Sequence, residues 1–219
     1  MKNFCYSINT VNINIFFPHN RIKTKKQILK ILFEATRTML ISQPIEDVSD
    51  CFHFKVIIDK MSRLFFFNEK KYYSINFPFT YIIDNNKPSI SYKNIVEINS
   101  KIISQLIEIL NDTRFDSEYS LDFIEPISEI ESEYENKLWF LLKELLMLED
   151  GYVRFDNDKE LYMKAKEENK EHTHPENHLD IFYTNGNTFK IGLESISRYD
   201  EFIDFFDLKT DCKYLKNFR

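Results

Sequence analysis

Residues 179–193 read LDIFYTNGNTFKIGL, a stretch in which apolar and polar side chains alternate on both sides of an Asn-Gly pair. Alternation with a period of two is typical of a strand that buries one face, and Asn-Gly is typical of a hairpin turn. If Thr184–Gly186 forms a three-residue loop, Asp180 lies opposite Lys190 and the apolar side chains of both strands share one face. The stretch therefore predicts an antiparallel hairpin in this register.

Outward from the hairpin, the same alternation predicts further strands over Phe4–Ile15, Phe52–Ile58, Arg63–Phe67, Tyr72–Phe79, Tyr81–Ile83 and Tyr152–Phe155, the first of them one long strand or two with a slip near Thr10. Apolar residues at helical spacing predict helices over Thr24–Ser42, Tyr92–Asn111, Ser128–Glu149 and Ser197–Asp207, and the charged segment Asp158–Lys170 predicts a solvated helix. These elements indicate an α+β fold, with antiparallel sheet packed by two long helices and a shorter C-terminal helix.

Charge divides the chain into two halves of opposite sign. Residues 1–110 carry 15 Lys and Arg against 9 Asp and Glu, and residues 111–219 carry 14 against 26. Residues 112–127 lack periodicity, so the sequence predicts a basic α+β region over 1–116 and an acidic one over 117–219, or one continuous domain. Because opposite charges attract, we expect the two halves to complement each other within the molecule.

Several enzyme classes are excluded by the glycine content. The three glycines are Gly151, Gly186 and Gly192, so the chain has no Gly-rich phosphate loop and no Gly-x-Ser-x-Gly elbow. Dinucleotide-dependent oxidoreductases, P-loop ATPases and serine esterases are therefore not expected. Three widely spaced cysteines without a Cys-x-x-Cys pair indicate a reducing cytoplasm, and no apolar run of the roughly 18 residues that span a membrane is present.

A histidine cluster precedes the hairpin. Imidazole and carboxylate are common ligands of zinc and other divalent metals, and we take four side chains of residues 172–180 as candidate ligands: His172, His174, His178 and Asp180. On the same side of the hairpin, Lys190 is a candidate for stabilising developing negative charge. Glu194 is a further candidate carboxylate of the catalytic site. Together these residues form a candidate site for metal-dependent hydrolysis.

A simpler interpretation needs no metal. Asp180 and Lys190 would form a cross-strand ion pair, with His178 hydrogen-bonded beside it and the other two histidines on a loop. We favour this interpretation because an isolated histidine cluster is a weak motif. In either case the ionisable face of the hairpin is expected to meet solvent, while its apolar face is buried.

Two functions remain open from the sequence. The first is a cytoplasmic interaction subunit, an immunity-type inhibitor or an accessory factor of a prokaryotic defence or toxin system. In it, acidic surfaces near Ser117–Glu135 and Asp156–Glu176 would bind a basic protein partner. The alternative is a metal-dependent hydrolase or nuclease centred on His172–Glu194. Nucleic acid is not favoured as a partner because the chain is acidic, and no membrane partner is expected.

Overall fold

The computed structural model describes residues 2–46, 52–85, 87–116, 122, 124–131, 137–182, 188–195 and 198–213. Within these residues the chain forms ten β-strands and seven α-helices, and every strand pair is antiparallel. The predicted α+β class with antiparallel sheet is therefore confirmed.

Seven of these strands form one sheet in the spatial order β1-β2-β3-β4-β8-β9-β10. They are β1 (Lys2–Ser7), β2 (His53–Ile58), β3 (Ser62–Phe67), β4 (Lys71–Asn76), β8 (Val153–Asn157), β9 (Asn177–Phe182) and β10 (Thr188–Leu193). A second sheet contains β5 (Thr80–Asp84), β6 (Lys87–Tyr92) and β7 (Val96–Glu97). Strand β4 pairs with β8, so the chain rejoins the first sheet only after residues 77–152.

The chain divides into two compact units. The first contains Met1–Ile8, Ile45–Asn76 and Gly151–Arg219, and the second contains Asn9–Pro44 and Phe77–Asp150. The boundaries of these units differ from those of the predicted regions 1–116 and 117–219, which stay a prediction. The difference arises from the β4–β8 pairing, which joins late strands to a sheet that the first 76 residues begin.

In the first unit, one face of the seven-stranded sheet is apolar. Helix α7 (Tyr199–Asp204) covers this face and buries Phe202 completely. The other buried members of the cluster are Ile57, Met61, Phe65, Phe67, Tyr72, Phe155 and Leu179. Because successive side chains of a strand alternate between faces, the neighbours of Phe155 and Leu179 point to the opposite face of the sheet. The same unit contains α6 (Lys159–Glu167).

The second unit contains α2 (Lys25–Ile41), the longest helix among the described residues, which begins where the sequence predicts. The Thr24 hydroxyl accepts a hydrogen bond from the Gln27 N–H at 3.2 Å, and the Gln27 side chain accepts one from the Thr24 N–H at 3.1 Å. These two reciprocal hydrogen bonds form a capping box. The other helices of the unit are α1 (Ile13–Phe16), α3 (Ser100–Asn111), α4 (Ile124–Glu131) and α5 (Lys137–Met147).

Three predicted elements are wrong in extent. The helix predicted to begin at Ser128 begins four residues earlier, at Ile124, in α4. Strand β1 ends at Ser7 instead of continuing to Ile15, because the Asn9 side chain accepts a hydrogen bond from the Val11 N–H at 3.2 Å and starts a helical turn. Helix α3 begins at Ser100 instead of Tyr92. The chain turns through positive φ before it, and the Asn99 side chain then caps the helix.

No helix among the described residues is long and apolar enough to cross a membrane. Cys5 and Cys212 are free thiols, while Cys51 lies outside the described residues. The cytoplasmic location stays a prediction.

Candidate metal centre

Three adjacent strands bring a set of ionisable side chains to one face of the first unit's sheet. In the register of the sheet, Arg154 of β8 lies opposite Asp180 of β9, and Asp180 lies opposite Lys190 of β10. Two residues further along the same pair of strands, Asp156 lies opposite His178. The predicted Asp180–Lys190 register is confirmed, although the Asn-Gly turn itself lies outside the described residues. We call Arg154, Asp156, His178, Asp180 and Lys190 the buried polar cluster.

The expectation that the ionisable face of the hairpin meets solvent is wrong for His178 and Asp180. The side chains of His178 and Asp180 are each 1% exposed. The prediction treated β9 and β10 as an isolated ribbon, but β8 pairs along the other side of β9, so β9 is an interior strand of the sheet. Asp180 is buried among charged partners, and its neighbour Leu179 points into the apolar cluster instead.

Arg154 links the two carboxylates of the cluster. Its Nη2 lies 2.6 Å from Asp156 Oδ2 and 2.7 Å from Asp180 Oδ2. A buried carboxylate is stable only if it is paired and hydrogen-bonded, and one guanidinium does this for both. Asp180 Oδ1 lies 3.8 Å from Lys190 Nζ but has no hydrogen bond from any described residue. With two carboxylates and two cations, the buried polar cluster is neutral when His178 is neutral.

His178 is held in one tautomer. Its Nδ1 lies 2.8 Å from the carbonyl oxygen of Pro175 and donates to it, so Nε2 carries the free lone pair. Burial lowers the pKa of His178 below its usual 6.5, with the Lys190 charge acting in the same direction, while the Pro175 hydrogen bond and the two carboxylates oppose this shift. The imidazole is therefore neutral at pH 7 and can act as a ligand.

Gly192 makes room for the loop that holds His178. A Cβ atom at Gly192 would lie 3.0 Å from Pro175 Cγ and 3.3 Å from Pro175 Cβ. Since Pro175 supplies the carbonyl that His178 donates to, the absence of a side chain at position 192 lets this loop pack directly on β10.

The histidine and the two carboxylates of the cluster lie close enough together to hold a metal ion. One ligand atom from each of Asp156, His178 and Asp180 lies within 4.8 Å of the other two. His178 Nε2 is 3.8 Å from Asp156 Oδ2 and 3.9 Å from Asp180 Oδ2. Ligands about 2.0–2.2 Å from a tetrahedral zinc ion are about 3.3–3.6 Å apart, so these two histidine–carboxylate distances would have to shorten by a few tenths of an ångström.

The other predicted site residues lie in different places. His174 is next to the buried polar cluster, with its Nδ1 3.3 Å from Lys190 Nζ. His172 lies in a short helical turn, Glu171–Thr173, with a side chain 92% exposed. Glu194 follows β10, is exposed, and is not part of the metal-competent group found among the described residues.

Two central members of the cluster, Arg154 and Asp156, were not predicted. A signal for them was present, because YVRFDN over residues 152–157 places both charges on the face opposite Val153 and Phe155. What the sequence lacks is any indication that this strand pairs with β9, about 20 residues later.

Comparisons with known proteins give no match to a family model, to a curated protein or to a solved structure.

Proposed function

We propose that this chain binds a divalent transition metal at Asp156, His178 and Asp180 and uses the ion to hydrolyse a negatively charged substrate. The proposal is carried by one observation, the convergence of these three ligand atoms within 4.8 Å. Imidazole and carboxylate together suit zinc and manganese, and a histidine ligand usually donates its second N–H to a carbonyl, as His178 does to Pro175.

The reaction class follows from the groups around the ligands. A bound divalent ion supplies a nucleophile at neutral pH by lowering the pKa of a coordinated water to about 7. Lys190 is the most exposed member of the cluster, with 32% of its side chain accessible, and places a cation where substrate would arrive. A cation beside a metal-bound water stabilises the charge that develops in phosphoryl transfer, so a phosphate ester is the substrate class we favour.

Metal analysis and a hydrolysis assay test this proposal. The purified protein is dialysed against Zn²⁺ or Mn²⁺, its metal content is measured, and turnover of bis(4-nitrophenyl) phosphate is followed. We expect about one ion per chain, together with hydrolysis, and loss of both in Asp180→Asn and His178→Ala. The matched control is His172→Ala, which removes an exposed imidazole from the same segment.

The competing explanation is an ion-pair cluster that serves only folding. Wild-type protein that retains no metal and has no activity above that of Asp180→Asn would establish this explanation. Circular dichroism on each variant separates loss of the ligand from loss of the fold.

The interaction function in a defence or toxin system, with a protein partner, stays a prediction. Of its two acidic surfaces, Ser117–Glu135 lies about half outside the described residues. In Asp156–Glu176, the first carboxylate is buried in the cluster and four lysines alternate with the remaining acids. The charge of that segment therefore supports a basic partner less than the net charge of the C-terminal half suggests.

A further inference from the structure

Three atoms of the kind that bind metal ions surround the ammonium group of Lys190. Its Nζ lies 3.2 Å from His178 Nε2 and 3.3 Å from His174 Nδ1. The third neighbour is Asp180 Oδ1, at 3.8 Å. Two imidazole nitrogens and one carboxylate oxygen form a set of ligands used by zinc and by non-haem iron.

Both imidazoles present lone pairs to this position. An ammonium group only donates hydrogen bonds, so His174 Nδ1 and His178 Nε2 must both be acceptors. The opposite nitrogen of His178 donates to Pro175, and the opposite nitrogen of His174 lies 3.4 Å from Asp158 Oδ2. The Pro175 carbonyl is the kind of partner that usually orients a metal-binding histidine. The Asp158 carboxylate lies close behind the other ring, but His174 Nε2 makes no hydrogen bond with any described residue.

Asp180 Oδ1 supplies an independent indication of a missing ligand. The side chain is 1% exposed, yet this oxygen accepts no hydrogen bond from any described residue. A buried carboxylate oxygen without a donor is costly, and the Lys190 ammonium at 3.8 Å compensates it only through charge. An ion bound between the imidazoles and this oxygen would satisfy it directly.

We propose that the Lys190 ammonium is an internal substitute for the metal, and that a divalent ion displaces it and binds His174, His178 and Asp180. This inference rests on the proposed function: it keeps His178 and Asp180 as ligands, places His174 where the first proposal has Asp156, and makes Lys190 a competitor of the metal. The displaced side chain has a route outward, since it is already one-third exposed. It would then lie beside the ion, where an anionic substrate binds.

Replacement of Lys190 by an uncharged side chain of similar length tests the competition. Zn²⁺ and Mn²⁺ affinities are measured by isothermal titration calorimetry for the wild type, Lys190→Met and Lys190→Arg. We expect Lys190→Met to bind at least tenfold more tightly than the wild type, because no cation has to leave. Lys190→Arg, which retains the charge, should gain nothing.

Each outcome separates this inference from the proposed function. Equal affinity in wild type and Lys190→Met overturns the competition and leaves the proposed metal site intact. Binding by Lys190→Met alone supports the competition and overturns the hydrolytic function of the wild type. Absence of binding in every variant overturns both.

A separate experiment tests whether His174 is a metal ligand. Bound Co²⁺ reports its ligands through visible absorption, so His174→Ala should change the spectrum and weaken binding, while His172→Ala should do neither. An unchanged Co²⁺ spectrum in His174→Ala would remove this residue from the site. If Lys190→Met does not fold, Lys190→Gln takes its place in the titration.

Discussion

At the scale of single residues, Arg154 determines whether the buried polar cluster is tolerated at all. Its guanidinium is the donor shared by Asp156 and Asp180, both of which lie in the interior of the sheet. Removing one partner of a buried ion pair leaves an uncompensated charge, which costs far more than the pair contributes over an apolar replacement. Here one substitution would leave two carboxylates facing each other.

We therefore expect Arg154→Met to lower the free energy of unfolding by about 3–5 kcal/mol at pH 7. Urea denaturation of metal-free protein measures it. Adding Asp156→Asn and Asp180→Asn to the same chain removes the two unpaired carboxylate charges. It should restore a large part of the lost free energy of unfolding. A decrease below about 1 kcal/mol, or no recovery in the triple variant, would contradict this account of the cluster.

The buried phenol of Tyr152 makes the free energy of unfolding depend on pH in the alkaline range. Its ring stacks on Phe182 with centroids 4.4 Å apart, and burial raises its pKa to about 12. Below pH 10 the phenol is neutral in both states. Between pH 10 and 12 it ionises in the unfolded chain before the folded one, so the free energy of unfolding falls as pH rises.

Tyr152→Phe should remove this alkaline loss, which is roughly 1 kcal/mol at pH 11. The measurement is the difference between urea unfolding at pH 8 and at pH 11, for wild type and variant. Tyr162→Phe, on α6, is the control. If wild type and Tyr152→Phe lose the same stability over this interval, the phenol is not the group responsible.

At the scale of elements, the short helix α7 is stabilised by what it covers. Six residues are too few for a stable isolated helix, so its stability must come from packing. Phe202 lies edge-on to Phe65 with centroids 6.2 Å apart and tilted against Tyr72 at 6.1 Å. The helix and the apolar face of the sheet therefore form one cooperative element.

Phe202→Ala should cost about 3–5 kcal/mol, because it opens a cavity in this cluster. Its matched control is Phe205→Ala, at the end of the same helix, where the side chain is 37% exposed and the cost should stay near 1 kcal/mol. Differential scanning calorimetry of both variants makes the comparison. Equal losses would mean that α7 is not anchored through Phe202.

Elements were predicted well where their signals are local. The capping box at Thr24 fixes the start of α2, and the alternation of residues 188–193 fixes β10 and its register with β9. The N-terminal strand was overextended because one side-chain hydrogen bond, from Val11 N–H to Asn9, outweighs an alternating pattern. Only the β9 and β10 residues of the site were predicted from the sequence. The partners of His178 and Asp180 on β8 depend on strand pairing that no local pattern encodes.

At the scale of the whole molecule, the opposite charges of the two halves meet in specific pairs. Within the second unit, Lys25 lies 2.5 Å from Asp150, and Lys26 is paired with Asp116. A third pair joins Lys93 and Glu144 at 2.6 Å. Each joins a cation of residues 1–110 to an acid of residues 111–219, as the expected internal complementarity requires.

Among these cations, Lys25 should matter most, because its ammonium also contacts the carbonyl of Leu148 near the end of α5. We expect Lys25→Met to lower the free energy of unfolding by about 1–2 kcal/mol, from the loss of hydrogen bonds between charged groups. Lys23→Met, at an exposed position nearby, should change it by less than about 0.5 kcal/mol. Chemical denaturation of both variants at low salt decides the point, and equal effects would refute it.

The late return of the chain to its first sheet has a consequence during synthesis. When β4 leaves the ribosome, its outer edge has no partner until the 74 residues of Phe77–Asp150 have been translated and β8 emerges. At ordinary elongation rates of about 5–20 residues per second, that edge stays open for about 4–15 seconds. An apolar strand edge exposed for so long invites pairing with other nascent chains, so chaperone access in this interval should govern the yield of native protein.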